Sequence, residues 1–183
     1  MFTDPIKNLR MLGLREDSIV ADLGAGTGFY SIAAAKIASN GRVYAIEVQK
    51  DYVTTIRNKI KSEDLDNVDV FWGDIEKIGG TKLADGIVDA VIVSNVFSQL
   101  EDKNNFISEV QRILKKNGNV LFVDWSPAPS RAGDFILSPN KKGLFSKEKI
   151  RGMFEEKGFT FVRDVDTEPH HYGMILKYVP RAK

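Results

Sequence analysis

Apolar residues in this chain alternate between two rhythms. Short apolar runs at 18–23, 42–48, 68–72, 88–93 and 119–125 are separated by stretches whose apolar residues recur at helical spacing. The runs predict five strands. The stretches between predict helices over 29–39, 51–63 and 102–116, with a first helix over 5–12 ending at Gly13. Asn40-Gly41 and Asn117-Gly118 close two of these helices with residues that tolerate positive φ. Ser146 caps a further helix that runs to about Lys157 and stops at Gly158. The end of the chain differs, because 159–166 and 172–179 both read as strands with only a short linker between them. No helix fits there, so these two strands pair antiparallel as a hairpin. Strands joined by helices run parallel instead. The expected fold is α/β, a three-layer sandwich whose mostly parallel sheet is covered on both faces and carries one reversed strand.

Length and charge narrow the picture. A chain of 183 residues suits one domain, taken as 1–183, and shows no internal repeat or low-complexity tract. A hydrophobic content of 43% with 28% charged residues is that of a globular protein. Formal net charge is +1, so no global field favours nucleic acid or an anionic membrane. Lys115-Lys116 is expected at a helix end and Lys141-Lys142 in a loop. There is no cysteine, which removes disulfides, thiolate metal sites and a cysteine nucleophile. The N-terminus lacks a basic region followed by an apolar run, and no run approaches the roughly 20 residues of a membrane helix. A cytoplasmic location is expected.

Candidate chemistry begins at Asp22-Leu23-Gly24-Ala25-Gly26-Thr27-Gly28, between the first strand and the first large helix. Its glycines allow a tight turn and close approach of a ligand to the backbone. Glu47 ends the second strand 19 residues beyond Gly28, where a carboxylate can accept both hydroxyls of a ribose. Dinucleotide dehydrogenases and methyltransferases both fit that pattern. Asp22 separates them, since it would repel a pyrophosphate at the helix start but attract the ammonium and sulfonium of a methionine moiety. Gly73-Asp74-Ile75 after the third strand puts an acid and an apolar residue where an adenine can be gripped. The closing hairpin is also foreign to a dinucleotide fold.

With these residues in view, the sequence resembles the class I S-adenosylmethionine-dependent methyltransferases over nearly its whole length. Val20 to Gly28 is similar to the family's first motif, Glu47 to its ribose-binding acid with Val48 beside it, and Gly73-Asp74-Ile75 to its adenine-contact segment. Ser94-Asn95 resembles the fourth-strand exit that lines the methionine end. Leu114 to Val120 resembles the family's L-K-P-G-G turn, with Asn117 in place of the usual proline. The resemblance implies S-adenosylmethionine as cofactor and a sheet of order 3-2-1-4-5-7-6 with strand seven reversed. The cofactor-binding set it implies is Asp22, Gly24, Ala25, Gly26, Thr27, Gly28, Tyr30, Glu47, Val48, Gly73, Asp74, Ile75, Ser94 and Asn95. Within that set, Tyr30 either closes over the cofactor or simply begins the helix.

Methyl transfer from a sulfonium is an in-line displacement with a good leaving group, so it needs alignment and exclusion of water more than a particular side chain. The acceptor site is expected at the C-terminal edge of the sheet. Asn95, Phe97 and Gln99 follow strand four, while Asp124 and Trp125 end strand five. Phe97 and Trp125 either line that site or pack under a loop, and Asp124 is either a base or a polar strand end. His170 and His171 are the two histidines and further candidate bases, of which at most one can face a given pocket from a strand. No metal site is expected. Asn95 does not sit in an N-P-P-Y motif, which lowers the nucleic-acid reading. Little sequence precedes strand one to form a lid, so an open acceptor site walled by the loop over 126–144 is expected, or one completed by a homodimer. The leading reading is a small-molecule methyltransferase of the quinone-biosynthesis-like group. The alternatives are a protein or RNA methyltransferase, a non-catalytic cofactor-binding partner module, and a dehydrogenase.

Overall fold

A computed structural model describes residues 4–127, 144–167 and 170–180. Seven strands, β1 (Ile19–Leu23), β2 (Arg42–Glu47), β3 (Val68–Trp72), β4 (Val88–Ser94), β5 (Leu114–Trp125), β6 (Phe159–Val165) and β7 (His171–Tyr178), form one sheet. Its order is β3-β2-β1-β4-β5-β7-β6, as the resemblance implies. The pairings among β1 to β5 are parallel, and β7 runs antiparallel to both β5 and β6. The reversal follows from chain length. Five residues separate β6 from β7, and a parallel return needs a crossover of about a dozen or more.

The helices are α1 (Pro5–Leu12), α2 (Phe29–Ile37), α3 (Lys50–Ser62), α4 (Lys103–Ile113) and α5 (Lys147–Glu156). Asp4 starts α1 by accepting the backbone N–H groups of Ile6 and Lys7, and Pro5 occupies the first turn, where no donor is needed. Alternate strand residues divide between the two faces of the sheet. Val20, Ile92, Leu121 and Ile175 pack with Leu9 and Leu12 of α1 and the alanines of α2. Val91, Val93, Phe122 and Met174 pack with Phe106 and Val110 of α4 and Phe154 of α5. Among the described residues, no helix is long and apolar enough to cross a membrane.

One local expectation is corrected. The helix expected to reach Lys116 ends at Ile113, and Leu114 already pairs with Val88. Residues 115–118 bulge out before the ladder resumes at Ala90 and Asn119, with Asn117 at φ 65°. Lys115 is therefore not at a helix end. Its Nζ donates to Asp89 Oδ1 at 2.8 Å, while Asp89 Oδ2 accepts the Ile19 N–H that opens β1. The crossover from β3 to β4 has no helix. Residues 73–87 are tied down by a buried carboxylate instead. Glu109 accepts from Gly79 N at 2.8 Å and from Thr81 Oγ1, and Arg112 donates to both of its oxygens at 2.8 Å. Arg112 also donates to Leu83 O and Asp85 Oδ1. Of the expected loop over 126–144, residues 128–143, with the Lys141-Lys142 pair, lie outside the described residues.

Candidate functional site

The C-terminal ends of β1, β2 and β4, with the segment after β3, surround a cleft of about 560 Å³. The glycine turn is its floor. Gly24 and Gly26 both have positive φ, at 72° and 55°, the left-handed region that side chains with a Cβ resist. A Cβ at Gly24 would lie 2.5 Å from Val96 Cγ2, whereas one at Gly26 would meet nothing within 4 Å. Gly24 is thus required by packing against the β4 exit. Gly26 keeps its surroundings open.

Glu47 reaches across from β2 and is almost fully buried. Its Oε2 accepts from Gly26 N at 2.8 Å, and its Oε1 accepts from Val48 N at 2.9 Å and Gln49 N at 2.8 Å. These donors fix the carboxylate and take three of its roughly four acceptor directions. One direction on Oε2 remains for a ligand hydroxyl, fewer than the two that the sequence analysis assigns to it.

Asp22, only 2% exposed, accepts from Ser31 Oγ at 2.5 Å. Burial pushes its carboxyl up to about 6, the Ser31 hydrogen bonds oppose the shift, and the nearby Glu47 charge adds to it. The cleft lining also includes Asp74 and Glu76. Asp74 accepts the Glu76 N–H and pairs with Lys77, and those two contacts hold its carboxyl below the usual range. Glu76 accepts the Asp102 N–H at 2.6 Å and so links the segment after β3 to the start of α4. Four carboxylates and no lysine, arginine or histidine line this cleft among the described residues. That arrangement favours a ligand carrying positive charge and opposes a pyrophosphate.

Most of the residues read from the sequence converge here: Asp22, Gly24, Ala25, Gly26, Tyr30, Glu47, Val48, Gly73, Asp74, Ile75, Ser94 and Asn95 all line the cleft. Thr27 and Gly28 stand behind it. The Thr27 carbonyl accepts from Lys59 Nζ, and Gly28 lies against Ile56 of α3. Asn95 has φ 56°, a conformation that asparagine tolerates better than most residues. Its N–H is held by the Val123 carbonyl and its own carbonyl by Gln99 Nε2, so the β4 exit is a fixed wall.

The acceptor-side candidates are placed elsewhere, apart from Asn95 and Gln99, which line the cleft. Phe97 is a core residue, its ring edge-on to Phe106 and Phe122. Asp124 is buried between β5 and the turn of 3₁₀ helix at Phe97–Gln99, accepting from Ser98 N at 3.1 Å and Trp125 N at 2.7 Å. Burial raises its pKa, and those backbone hydrogen bonds oppose the rise. The Trp125 ring rests on His171, its cross-strand neighbour, with centroids 4.1 Å apart. The His170 carbonyl accepts the Ser126 N–H. Among the described residues, no three histidine, aspartate or glutamate side chains are grouped to hold a metal ion.

The structure adds cleft residues that the sequence reading passed over, chiefly Phe29, Gln49, Tyr52, Glu76, Val96 and Leu100. Phe29 is 48% exposed and Tyr52 38% exposed. Aromatic residues just after a glycine turn and in the first turn of the next helix were the available signal.

Comparison with known proteins agrees with this geometry. A methyltransferase-domain family model matches residues 14–158. A solved S-adenosylmethionine-dependent methyltransferase from Aquifex aeolicus superposes with a TM-score of 0.85 at 28% identity, covering 97% of this chain and 91% of that one. An arsenite methyltransferase of Halobacterium salinarum is 26% identical over 81% of this chain, and the match spans 40% of that enzyme. A probable cobalt-precorrin-6B C(15)-methyltransferase of Methanosarcina acetivorans is 28% identical over 72% of this chain and 83% of its own length. An acid-lined cleft over a glycine turn, a sheet with one reversed strand and a family match over most of the sequence lead to one conclusion: this chain belongs to the S-adenosylmethionine-dependent methyltransferases of the class I, Rossmann-like fold.

Proposed function

We propose that the cleft binds S-adenosylmethionine and that the chain transfers its methyl group to a small-molecule acceptor. The observation that carries this reading is Asp22, a buried carboxylate with no cationic partner among the described residues. The cofactor supplies an activated methyl on a sulfonium whose departure leaves a neutral thioether. The chain's residues do the rest. Asp22 faces the ammonium, the free direction of Glu47 Oε2 takes a ribose hydroxyl, and Ile75 with Val48 offers apolar contact to the adenine. Gly26 lets the nucleoside approach the backbone. Ser94 and Asn95 wall the methionine end, and Gln99 stands where an acceptor would enter. Exclusion of water and alignment of the acceptor make up the protein's share of the rate. A small acceptor is supported by the relatives, whose names specify arsenite and a cobalt-precorrin.

Calorimetric titration with S-adenosylhomocysteine, run beside NADH, tests the cofactor assignment. Saturable binding of the first alone is expected, and binding of NADH alone would overturn it. Gly26→Arg sharpens the test. Its Cβ meets no atom, so the protein folds with a penalty of about 1–2 kcal/mol for the left-handed backbone. The guanidinium then reaches the carboxylates of the cleft and abolishes binding. A normal affinity in a folded Gly26→Arg protein would remove the glycine turn from the site.

A further inference from the structure

We propose that Asn8 of α1 is a positioning residue for the amino-acid end of the cofactor, acting through the hydroxyl of Tyr30. The inference rests on the cofactor reading above. Asn8 is 1% exposed and sits on the buried face of α1 next to Leu9. Its Nδ2 donates to Tyr30 Oη at 3.0 Å, while its Oδ1 is buried without a hydrogen-bond partner. A buried amide that leaves its oxygen unpaired costs stability, and an apolar residue would pack there more favourably. Fold stability alone therefore does not account for asparagine at this position.

The geometry of the pair supplies a reason. Tyr30 is buried and lines the cleft together with Asp22, whose charge acts on the phenol. A phenolic hydroxyl accepts on one side and donates on the other. With Asn8 donating to Oη, the hydroxyl keeps its own proton to donate elsewhere, and no hydrogen bond donated by it is made among the described residues. Burial, opposed by the Asn8 hydrogen bond and reinforced by the Asp22 charge, keeps that proton on the oxygen. Asp22 and the Tyr30 hydroxyl thus offer two complements in one cleft, a carboxylate for an ammonium and a neutral O–H for a carboxylate. An α-amino acid presents those two groups on one carbon. Since the described lining lacks any basic side chain, the ligand's carboxylate is met by neutral donors, and the Tyr30 hydroxyl, which feels the Asp22 charge, is one of them.

The test compares two probes that share the adenosine and thioether but differ at the amino-acid end, S-adenosylhomocysteine and 5′-methylthioadenosine. Binding of each is measured by calorimetry to the unsubstituted chain, Tyr30→Phe, Asn8→Leu and the double variant. Tyr30→Phe should weaken S-adenosylhomocysteine by about tenfold, the worth of one hydrogen bond to a charged group, and leave 5′-methylthioadenosine within about twofold. Asn8→Leu should show the same selective loss with an unchanged or higher melting temperature, which a purely structural role would not produce. The double variant should be no weaker than Tyr30→Phe, because Asn8 acts through that hydroxyl. Equal losses for both probes, or no loss for either, overturn the proposal. If the unsubstituted chain binds neither probe, the cofactor reading fails with it, and that outcome is distinct from the other two.

Discussion

At pH 7 the Asp22→Asn protein is expected to melt roughly 5–10 °C above the unsubstituted chain and to bind S-adenosylmethionine at least about tenfold more weakly. Both effects come from one buried carboxylate. Its folded-state pKa is raised from 3.8 to about 6, chiefly by burial. The folded chain therefore holds a proton that the unfolded chain releases between those two values, so stability falls as pH rises through that window. At neutral pH the ionised carboxylate costs up to about 3 kcal/mol, which asparagine avoids while still accepting from Ser31. The melting difference should shrink as pH falls from about 6 to about 4 and vanish below that, where Asp22 is protonated in both states. Binding has the opposite dependence. A cationic ligand needs the carboxylate, so affinity in the unsubstituted chain is lost as pH falls below about 6. Melting curves from pH 3.5 to 8 beside calorimetric titrations check both statements. Equal melting temperatures and equal affinities at pH 7 would show that Asp22 is neither strained nor part of the site. Stability given up at a binding position is common in enzymes.

The second large effect is expected far from the ligand. Arg112→Ala leaves Glu109, which is fully buried, with only the donors of Gly79 and Thr81. Burial alone would raise the Glu109 pKa, but Arg112, Thr81 and the Gly79 amide outweigh it and hold the carboxyl down at about 2. Removing the guanidinium should cost about 3 kcal/mol, near the lower end for a broken buried pair, and lower the melting temperature by roughly 6–12 °C. Adding Glu109→Gln should recover part of that loss, because the cost lies in the uncompensated charge rather than in missing contacts. The same network holds the crossover at 73–87, whose first residues are Gly73, Asp74 and Ile75 of the cleft. Arg112→Ala is therefore also expected to weaken S-adenosylhomocysteine binding severalfold. A single variant that melts normally would mean that the crossover is held by something other than Glu109.

The fold was largely legible because its signals are local and periodic. Alternating strand and helix rhythms define βα units, and the missing helix between the last two strands forces the reversal. Asp22, Gly24, Gly26 and Glu47 were legible for a related reason, since a turn with positive φ and an acid at a strand end leave residue-type signatures. Where the reading failed, a long-range contact had prevailed over a local preference. Leu114-Lys115-Lys116 continues a helical pattern, yet Leu114 joins the ladder opposite Val88, and Asp89 draws Lys115 into a bulge. Nothing in the sequence of 73–87 shows that Glu109, about 30 residues away, holds that crossover in place.

The candidate site divides along the same line. The sequence by itself determined that a glycine turn, Asp22 near the end of β1 and Glu47 at the end of β2 meet at one edge of a parallel sheet, because backbone geometry and strand order fix those positions. Only the tertiary structure decided that Glu47 spends most of its acceptor capacity on the backbone, that Phe97 belongs to the core, and that Asp124 and His171 lie apart from the cleft. It alone joined Asn8 to Tyr30, 22 residues apart in the chain. Hydrogen bonds and packing across elements depend on distance in space, and residue order carries no direct record of it.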